Sequence, residues 1–312
     1  MAILKVGTRG SPLALAQAKI VSQALKSKFP DLQTRTVVIR TTGDKVLDSP
    51  LSQIGSKGLF IKEIEEALVS KKIDIAVHSL KDLTTELADG LSIGAVLKRE
   101  DPHDCIISKE GQSIKTLPRE STVGTSSLRR KAQVLSLRPD LEVRDLRGNL
   151  DTRVRKLEDG QYAAILVALA GVKRLAKILA LKNRRLKAEE VPFEEVLPAP
   201  GQGALAVEIR TDDRETGSLV QILDHEPSHR AALCERAFLR TLQGGCQVPV
   251  GAFAEVEEDS IILEGLIASP DGKYLIRDVL SGPKGAPDQV GNDLAKKLLN
   301  LGGGVILEAI RA

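Results

Sequence analysis

Two rhythms of apolar and polar residues alternate along most of this chain. Short apolar runs bounded by turn residues read as strands, and stretches with apolar residues three and four apart read as helices. Residues 3–6 form the first strand run. Ser11 then reads as an N-cap with Pro12 at the first helical position, and Leu13, Ala16, Ile20 and Ala24 trace a helical stripe. The pattern predicts β structure over 34–42, a helix over 59–70, a buried strand over 73–77 and another strand over 91–97. A charged, turn-like stretch at 98–102 marks a crossover, after which the alternation restarts. Val123 leads into a Thr-Ser-Ser turn, a helix is expected over 128–137, and strands are expected over 141–146 and over 163–170, ending at Gly171. The hinge-like Pro-Ala-Pro-Gly-Gln-Gly at 198–203 precedes a strand over 204–209. The last stretch changes character: an amphipathic helix over 228–242, a glycine loop, two strands flanking an Asp271-Gly272 turn, and a final helix over 288–301. The expected fold is therefore α/β, with two α/β domains followed by a small α+β domain.

Composition narrows the partners. A chain of 312 residues can bury two or three cores, and 42% hydrophobic with 28% charged residues is ordinary for a globular protein. Net charge is only +3, so basic clusters are local, which argues against general nucleic-acid binding. Aromatics are scarce at 2%, without Trp, and leave little for base stacking. Three cysteines, Cys105, Cys234 and Cys246, make no disulfide framework and fit a reducing compartment. The N-terminal residues run straight into a strand pattern with no signal-peptide profile, and no apolar stretch approaches the roughly 20 residues of a membrane span. A cytoplasmic protein is expected.

Four basic turns carry the candidate chemistry, each placed where an apolar run ends. They are Gly7-Thr8-Arg9-Gly10-Ser11-Pro12, His78-Ser79-Leu80-Lys81-Asp82, Gly124-Thr125-Ser126-Ser127-Leu128-Arg129-Arg130 and Leu146-Arg147-Gly148-Asn149. In an alternating fold, ligands bind where strands end and helices begin, and backbone N–H groups there favour an anion. Ser and Thr add donors, and Arg adds a fork that fits carboxylates. A capped helix with solvated arginines explains any one turn. Adjacent cations opening a helix at Arg129 and Arg130 oppose its dipole and ask for an anion. Asp82, among cations, stays ionised and can stabilise a developing positive charge. Gly244-Gly245-Cys246 puts a thiol on a loop that glycine lets bend sharply, a candidate nucleophile or attachment point, whereas Cys105 and Cys234 fall in strand and helix patterns. Histidine and cysteine spacings match no zinc site, Pro227 separates His225 from His229, and no dinucleotide fingerprint or P-loop is present.

Taken together in order, these motifs resemble the porphobilinogen deaminase family. To the four turns are added Gly-Ser-Lys-Gly-Leu-Phe at 55–60, Leu-Pro-Ala-Pro-Gly-Gln-Gly at 197–203 and Gly-Gly-Cys-Gln-Val-Pro at 244–249, so the likeness spans almost the whole chain. The resemblance implies two periplasmic-binding-protein-like α/β domains with the active site in the cleft between them. Domain 1 would comprise 1–98 and 199–216, domain 2 would be 99–198, and domain 3, residues 217–312, would carry a dipyrromethane cofactor through a thioether, by position to Cys246. Asp82 matches the catalytic carboxylate. Cofactor contacts would come from Ser79, Lys81, Asp82, Thr125, Ser127, Arg129, Arg130 and Phe60, and substrate contacts from Arg9, Ser11, Gln17, Lys57, Arg147, Arg153 and Arg174. The implied reaction removes ammonia from porphobilinogen to give a cationic azafulvene, which the growing chain attacks. Four condensations and a hydrolysis yield hydroxymethylbilane, passed to uroporphyrinogen-III synthase by a monomeric cytosolic transferase.

Two positions depart from the family pattern: Gln53 where Lys is common, and Thr84 where Pro is usual, which should loosen that turn. Two rival readings compete. A two-lobed anion receptor or effector-binding module accounts for the hinges and arginines but not for Asp82 or the Gly-Gly-Cys loop. A thiol hydrolase on Cys246 lacks a histidine in any motif that would pair with it.

Overall fold

The computed structural model describes residues 3–42, 61–181, 183–244 and 248–311. The chain divides into two compact units, one of residues 1–100 and 204–229, the other of 101–203 and 230–312.

The first unit starts with β1 (Leu4–Thr8), α1 (Pro12–Lys28), β2 (Thr34–Val38), α2 (Lys62–Val69), β3 (Ile75–Ser79) and β4 (Leu91–Val96). Ser11 caps α1, its Oγ accepting from the Ala14 N–H at 3.2 Å, and Pro12 takes a position where a missing N–H costs nothing. The buried face of α1 is Gln17, Ala18, Val21, Ser22 and Leu25. The expected stripe through Leu13, Ala16, Ile20 and Ala24 is therefore rotated away from the core, and Ile20 is exposed. Ala18, Val21 and Leu25 seat against Leu4, Val6, Ile75 and Val77, while Gln17 and Ser22 within that face disguise it as polar.

The second unit continues with β5 (Asp104–Ser108), β6 (Thr122–Gly124), α3 (Leu128–Leu137), β7 (Glu142–Arg144), α4 (Leu150–Glu158), β8 (Ala164–Ala168), α5 (Leu169–Arg174), α6 (Ala176–Leu179) and β9 (Lys187–Val191). The strand expected over 163–170 stops earlier, and Gly171 lies inside α5. Leu169 N–H bonds to His103 O at 3.0 Å, which draws the chain out of the β8 ladder. The chain then returns to the first unit as β10 (Leu205–Arg210) and α7 (Arg214–Gln221).

The two sheets share one plan. Their orders are β2-β1-β3-β10-β4 and β7-β6-β8-β5-β9. In each, the first three strands are parallel, and the fourth is antiparallel to both its neighbours. That plan puts the turns after β1 and β3 on one edge of the first sheet, and the turns after β6, β7 and β8 on one edge of the second.

After α8 (Glu226–Thr241) come β11 (Val250–Val256), β12 (Ser260–Ala268), β13 (Leu275–Pro283), α9 (Pro287–Leu298) and α10 (Gly304–Arg311). The three strands form an antiparallel sheet in sequence order. Its core joins Cys234 and Phe238 of α8 to Ile261, Leu263, Ile267, Leu294 and Leu298. The expected Asp271-Gly272 turn joins β12 to β13, with Gly272 at φ +73°. A Cβ there would lie 2.4 Å from Ala132 O, so the hairpin tip rests on α3. The final helix expected over 288–301 is α9 continued by a π-turn from Leu299, until Gly302, at φ +108°, breaks it; a second helix, not expected, follows.

Candidate active site

In the first unit, β1 and β3 are parallel neighbours and deliver their carboxyl-terminal turns side by side. Arg9, Ser11, Gln17, Ile61, His78, Ser79 and Asp82 line one pocket of about 60 Å³ there. Gln17 is buried, and its Nε2 donates to Ser79 Oγ at 2.7 Å, which leaves the Ser79 hydroxyl proton to give. Lys81 and Asp82 ride a single 3₁₀ turn, Leu80–Asp82. Buried Leu80 anchors that turn through its N–H to Ala204 O at 3.0 Å. The Asp82 side chain is exposed and, among the described residues, makes no hydrogen bond or ion pair. Thr84, in place of the usual Pro, donates its hydroxyl to Glu86 O at 2.6 Å and so closes its own turn.

The second unit ties two of its turns together. Ser126 Oγ donates to Leu146 O at 2.9 Å and accepts from Leu146 N–H at 3.0 Å. Thr125 is buried, with its N–H on Arg144 O at 2.9 Å, and Ser127 caps α3 by accepting from Arg130 N–H. Arg147 follows Leu146, and Gly148 at φ +107° turns the chain where a Cβ would meet Thr152 at 2.8 Å. Arg153 Nε reaches back to Gly148 O at 2.8 Å. Arg174, at the end of α5, donates to Gly203 O at 2.6 Å.

Arg129 and Arg130 turn inward, each only 5% exposed, onto the completely buried Asp104. Arg129 Nη1 meets Asp104 Oδ2 at 2.7 Å, and Arg130 Nε and Nη2 meet Oδ1 at 3.0 and 2.7 Å. Gln202 Nε2 adds a bond to Oδ1 at 2.9 Å. Burial opposes the Asp104 charge, but the two guanidiniums outweigh it and hold the carboxyl well below the usual range. The anion demanded by this helix start thus comes first from the chain itself. Two cations still exceed one carboxylate, and Arg129 Nε and Nη2 have no acceptor among the described residues. No motif singles out Asp104; its one signal is a charge opening the apolar run Cys105-Ile106-Ile107.

Cys246, Phe60, Lys57 and Gln53 lie outside the described residues. The other cysteines are free and buried, and burial pushes both thiols up to about 12, which keeps them unreactive. Asp101, His103 and Glu190 approach one another, but Lys173 Nζ already holds Asp101 at 2.9 Å and His103 Nδ1 holds it at 2.7 Å. No helix among the described residues is long and apolar enough to cross a membrane.

Comparison with known proteins matches this arrangement to one family. The model of the porphobilinogen deaminase dipyrromethane cofactor binding domain covers residues 4–218, and that of the porphobilinogen deaminase C-terminal domain covers 229–300. Porphobilinogen deaminase of Moorella thermoacetica is 49% identical over 99% of this chain and 97% of its own. That of Pelotomaculum thermopropionicum is 50% identical, with the same shares covered. Among solved structures, the Bordetella pertussis BvgS periplasmic VFT2 domain is similar at 13% identity and TM-score 0.42, over 70% of this chain and 85% of that one. A Brucella ovis periplasmic binding protein with glutathione bound is similar at 12% identity and TM-score 0.42, over 77% and 69%. Both lie too far away to add to the family assignment. The fold class expected from sequence is present as far as the class itself: mixed α/β, with two helix-flanked sheets and a smaller C-terminal sheet with helices. The family match selects catalysis over the receptor alternative. On sequence over nearly its full length, the chain belongs to the porphobilinogen deaminase family.

Proposed function

We propose that this chain is a transferase that deaminates porphobilinogen, joins four molecules head to tail and releases hydroxymethylbilane for tetrapyrrole synthesis. The observation that carries the assignment of roles is the Asp82 carboxylate, unpaired among the described residues, in one pocket with Arg9, Ser11, Gln17 and Ser79. Porphobilinogen carries two carboxylates, which suit the Arg9 guanidinium and the Ser11 and Ser79 hydroxyls. Loss of ammonia leaves a cation, and a carboxylate unengaged by the described residues is ready to stabilise it. Lys81, beside Asp82 on the same turn, is a second cation suited to acidic arms.

The residues of the second unit fit a dipyrromethane bearing acidic side chains. Arg129 and Arg130 outnumber their buried counter-ion, the Arg129 fork keeps donors to give, and Thr125 and Ser127 flank it. Arg147, in the turn before α4, Arg153, in its first turn, and Arg174, at the end of α5, suit the carboxylates of a lengthening chain. When bound, the dipyrromethane supplies the free pyrrole α-carbon to which the first substrate is joined. We assign its thioether to Cys246, a reading supported by the burial of the two other thiols. Phe60 and Lys57 are assigned by motif alone. The same reading makes the protein a cytosolic monomer whose product passes to uroporphyrinogen-III synthase.

Asp82→Asn tests the assignment, because it keeps the size and removes the charge. Cofactor content by intact mass should remain normal while kcat falls about 10²–10³-fold or more, the usual cost of losing one electrostatic stabiliser. Asp82→Glu should retain part of the rate. A cofactor-loaded Asp82→Asn enzyme working within a few-fold of the parent rate contradicts the role given to Asp82.

A further inference from the structure

His103 stands one residue before Asp104 and takes no part in the roles assigned above. Its ring lies flat against Phe193, with centroids 4.0 Å apart and planes 16° from parallel, and Phe193 in turn meets Phe253 of β11. The stack fixes the ring plane, and a hydrogen bond fixes its direction, with Nδ1 2.7 Å from Asp101 Oδ1. Asp101 also accepts from the His103 backbone N–H at 3.0 Å and from Lys173 Nζ at 2.9 Å. Burial opposes its charge, but these bonds hold its carboxyl below the usual value. An ionised carboxylate only accepts, so Nδ1 carries the proton of that bond and Nε2 is left for another partner.

What Nε2 faces is Glu190 Oε1, 3.8 Å away. Glu190 lies on the edge strand β9, opposite Cys105, which is two residues on from His103. The gap is too long for a hydrogen bond. It suits two ligands of one ion, because bonds of about 2.0–2.2 Å from a ring nitrogen and a carboxylate oxygen together span about 4 Å. Asp101, His103 and Glu190 offer one donor atom each within 4.8 Å of one another. His103 is 25% exposed and Glu190 53%, so an ion can enter and water can complete its shell. Two carboxylates against the one ammonium of Lys173 leave a negative balance that favours a cation. Asp101, already committed to Lys173, stands behind the ring as the outer carboxylate of a carboxylate–histidine–metal arrangement, where it orients the imidazole and strengthens it as a ligand.

We propose that His103 and Glu190 form a divalent transition-metal site, the ion bound by His103 Nε2 and a Glu190 oxygen, with Asp101 positioning the ring. The donors set the class of ion: an imidazole with a carboxylate suits Zn²⁺ or Cu²⁺, whereas Mg²⁺ takes oxygen ligands. A bound ion ties the residue before β5 to the edge strand β9. The site is independent of the roles given to the pocket of the first unit.

The test is calorimetric titration of the purified enzyme with Zn²⁺ alone. The parent should bind one ion that His103→Phe, which keeps a ring against Phe193, no longer binds. Glu190→Gln should lose it likewise, and Asp101→Asn should weaken it about 10- to 100-fold, the usual cost of removing an outer carboxylate. Zn²⁺ should raise the melting midpoint of the parent in a concentration-dependent way and leave that of His103→Phe where it is. Midpoints without metal establish that each variant is folded. Excess Mg²⁺ should leave Zn²⁺ binding unchanged. Zinc-edge anomalous diffraction from the unmutated protein needs no variant, and should place the ion within bonding distance of His103 Nε2 and Glu190. Absence of binding by the parent overturns the proposal. Equal binding by parent and His103→Phe marks an adventitious ion only and overturns it too, as does displacement by Mg²⁺ or an anomalous peak found only elsewhere.

Discussion

Asp104 opens β5 without any solvent exposure and holds two guanidiniums and the Gln202 amide. Asp104→Ala leaves both guanidiniums without their counter-ion, a loss expected to cost about 3–5 kcal/mol of stability, since breaking a buried pair strands a charge. The folded-state pKa of Asp104 is depressed, so its contribution is fully present above the unfolded carboxyl value of about 3.9 and is lost as pH falls through the lower folded value. Denaturant melts of parent and Asp104→Asn from pH 7 to pH 3 should show a stability gap that narrows below about pH 4. A gap that stays constant to pH 3 contradicts the ion-pair account. Ser11 was legible as a cap because its partner lies three residues away, at Ala14. Asp104 was not, because its partners stand 25 and 26 residues along the chain and only the fold brings them to it.

At the scale of elements, the sites depend on turns at the ends of parallel strands, and those turns announce themselves locally through Gly, Ser, Thr and Pro. That is why the turns after β1, β3 and β6 could be read directly. Strand β9 was missed because its residues Lys187, Glu189 and Glu190 are polar; it is an edge strand paired only with β5. The stripe of α1 was assigned to the wrong face because Gln17 sits in the buried one, where its amide serves Ser79. Close helix contact is equally silent in a single sequence. Gly291 of α9 lies so near α8 that a Cβ would fall 2.3 Å from Cys234 O and 2.8 Å from Phe238 N. Gly291→Ala must push α9 off α8, and the strain, about 1–3 kcal/mol, should exceed the roughly 1 kcal/mol that alanine gains in helix propensity. The urea midpoint should drop, and a rise would show that the helix contact gives way freely.

The whole molecule is two units with a repeated sheet plan; the fourth strand of the first sheet, β10, comes from a separate, later stretch of chain, whereas that of the second, β5, directly precedes β6. Family membership was legible at this scale because seven motifs stand in one order from residue 7 to residue 249, an arrangement no single turn could establish. The central claim, that the chain is a deaminase building its product on a dipyrromethane held by Cys246, is open to a single direct measurement. Denaturing mass spectrometry of protein supplied with porphobilinogen, followed by peptide mapping, should show the mass of two linked pyrrole units on the peptide that contains Cys246. Further additions of one to four units should appear on short exposure to substrate, and Cys246→Ser should show none. An unmodified parent mass, or the same adduct on Cys246→Ser, would contradict the account.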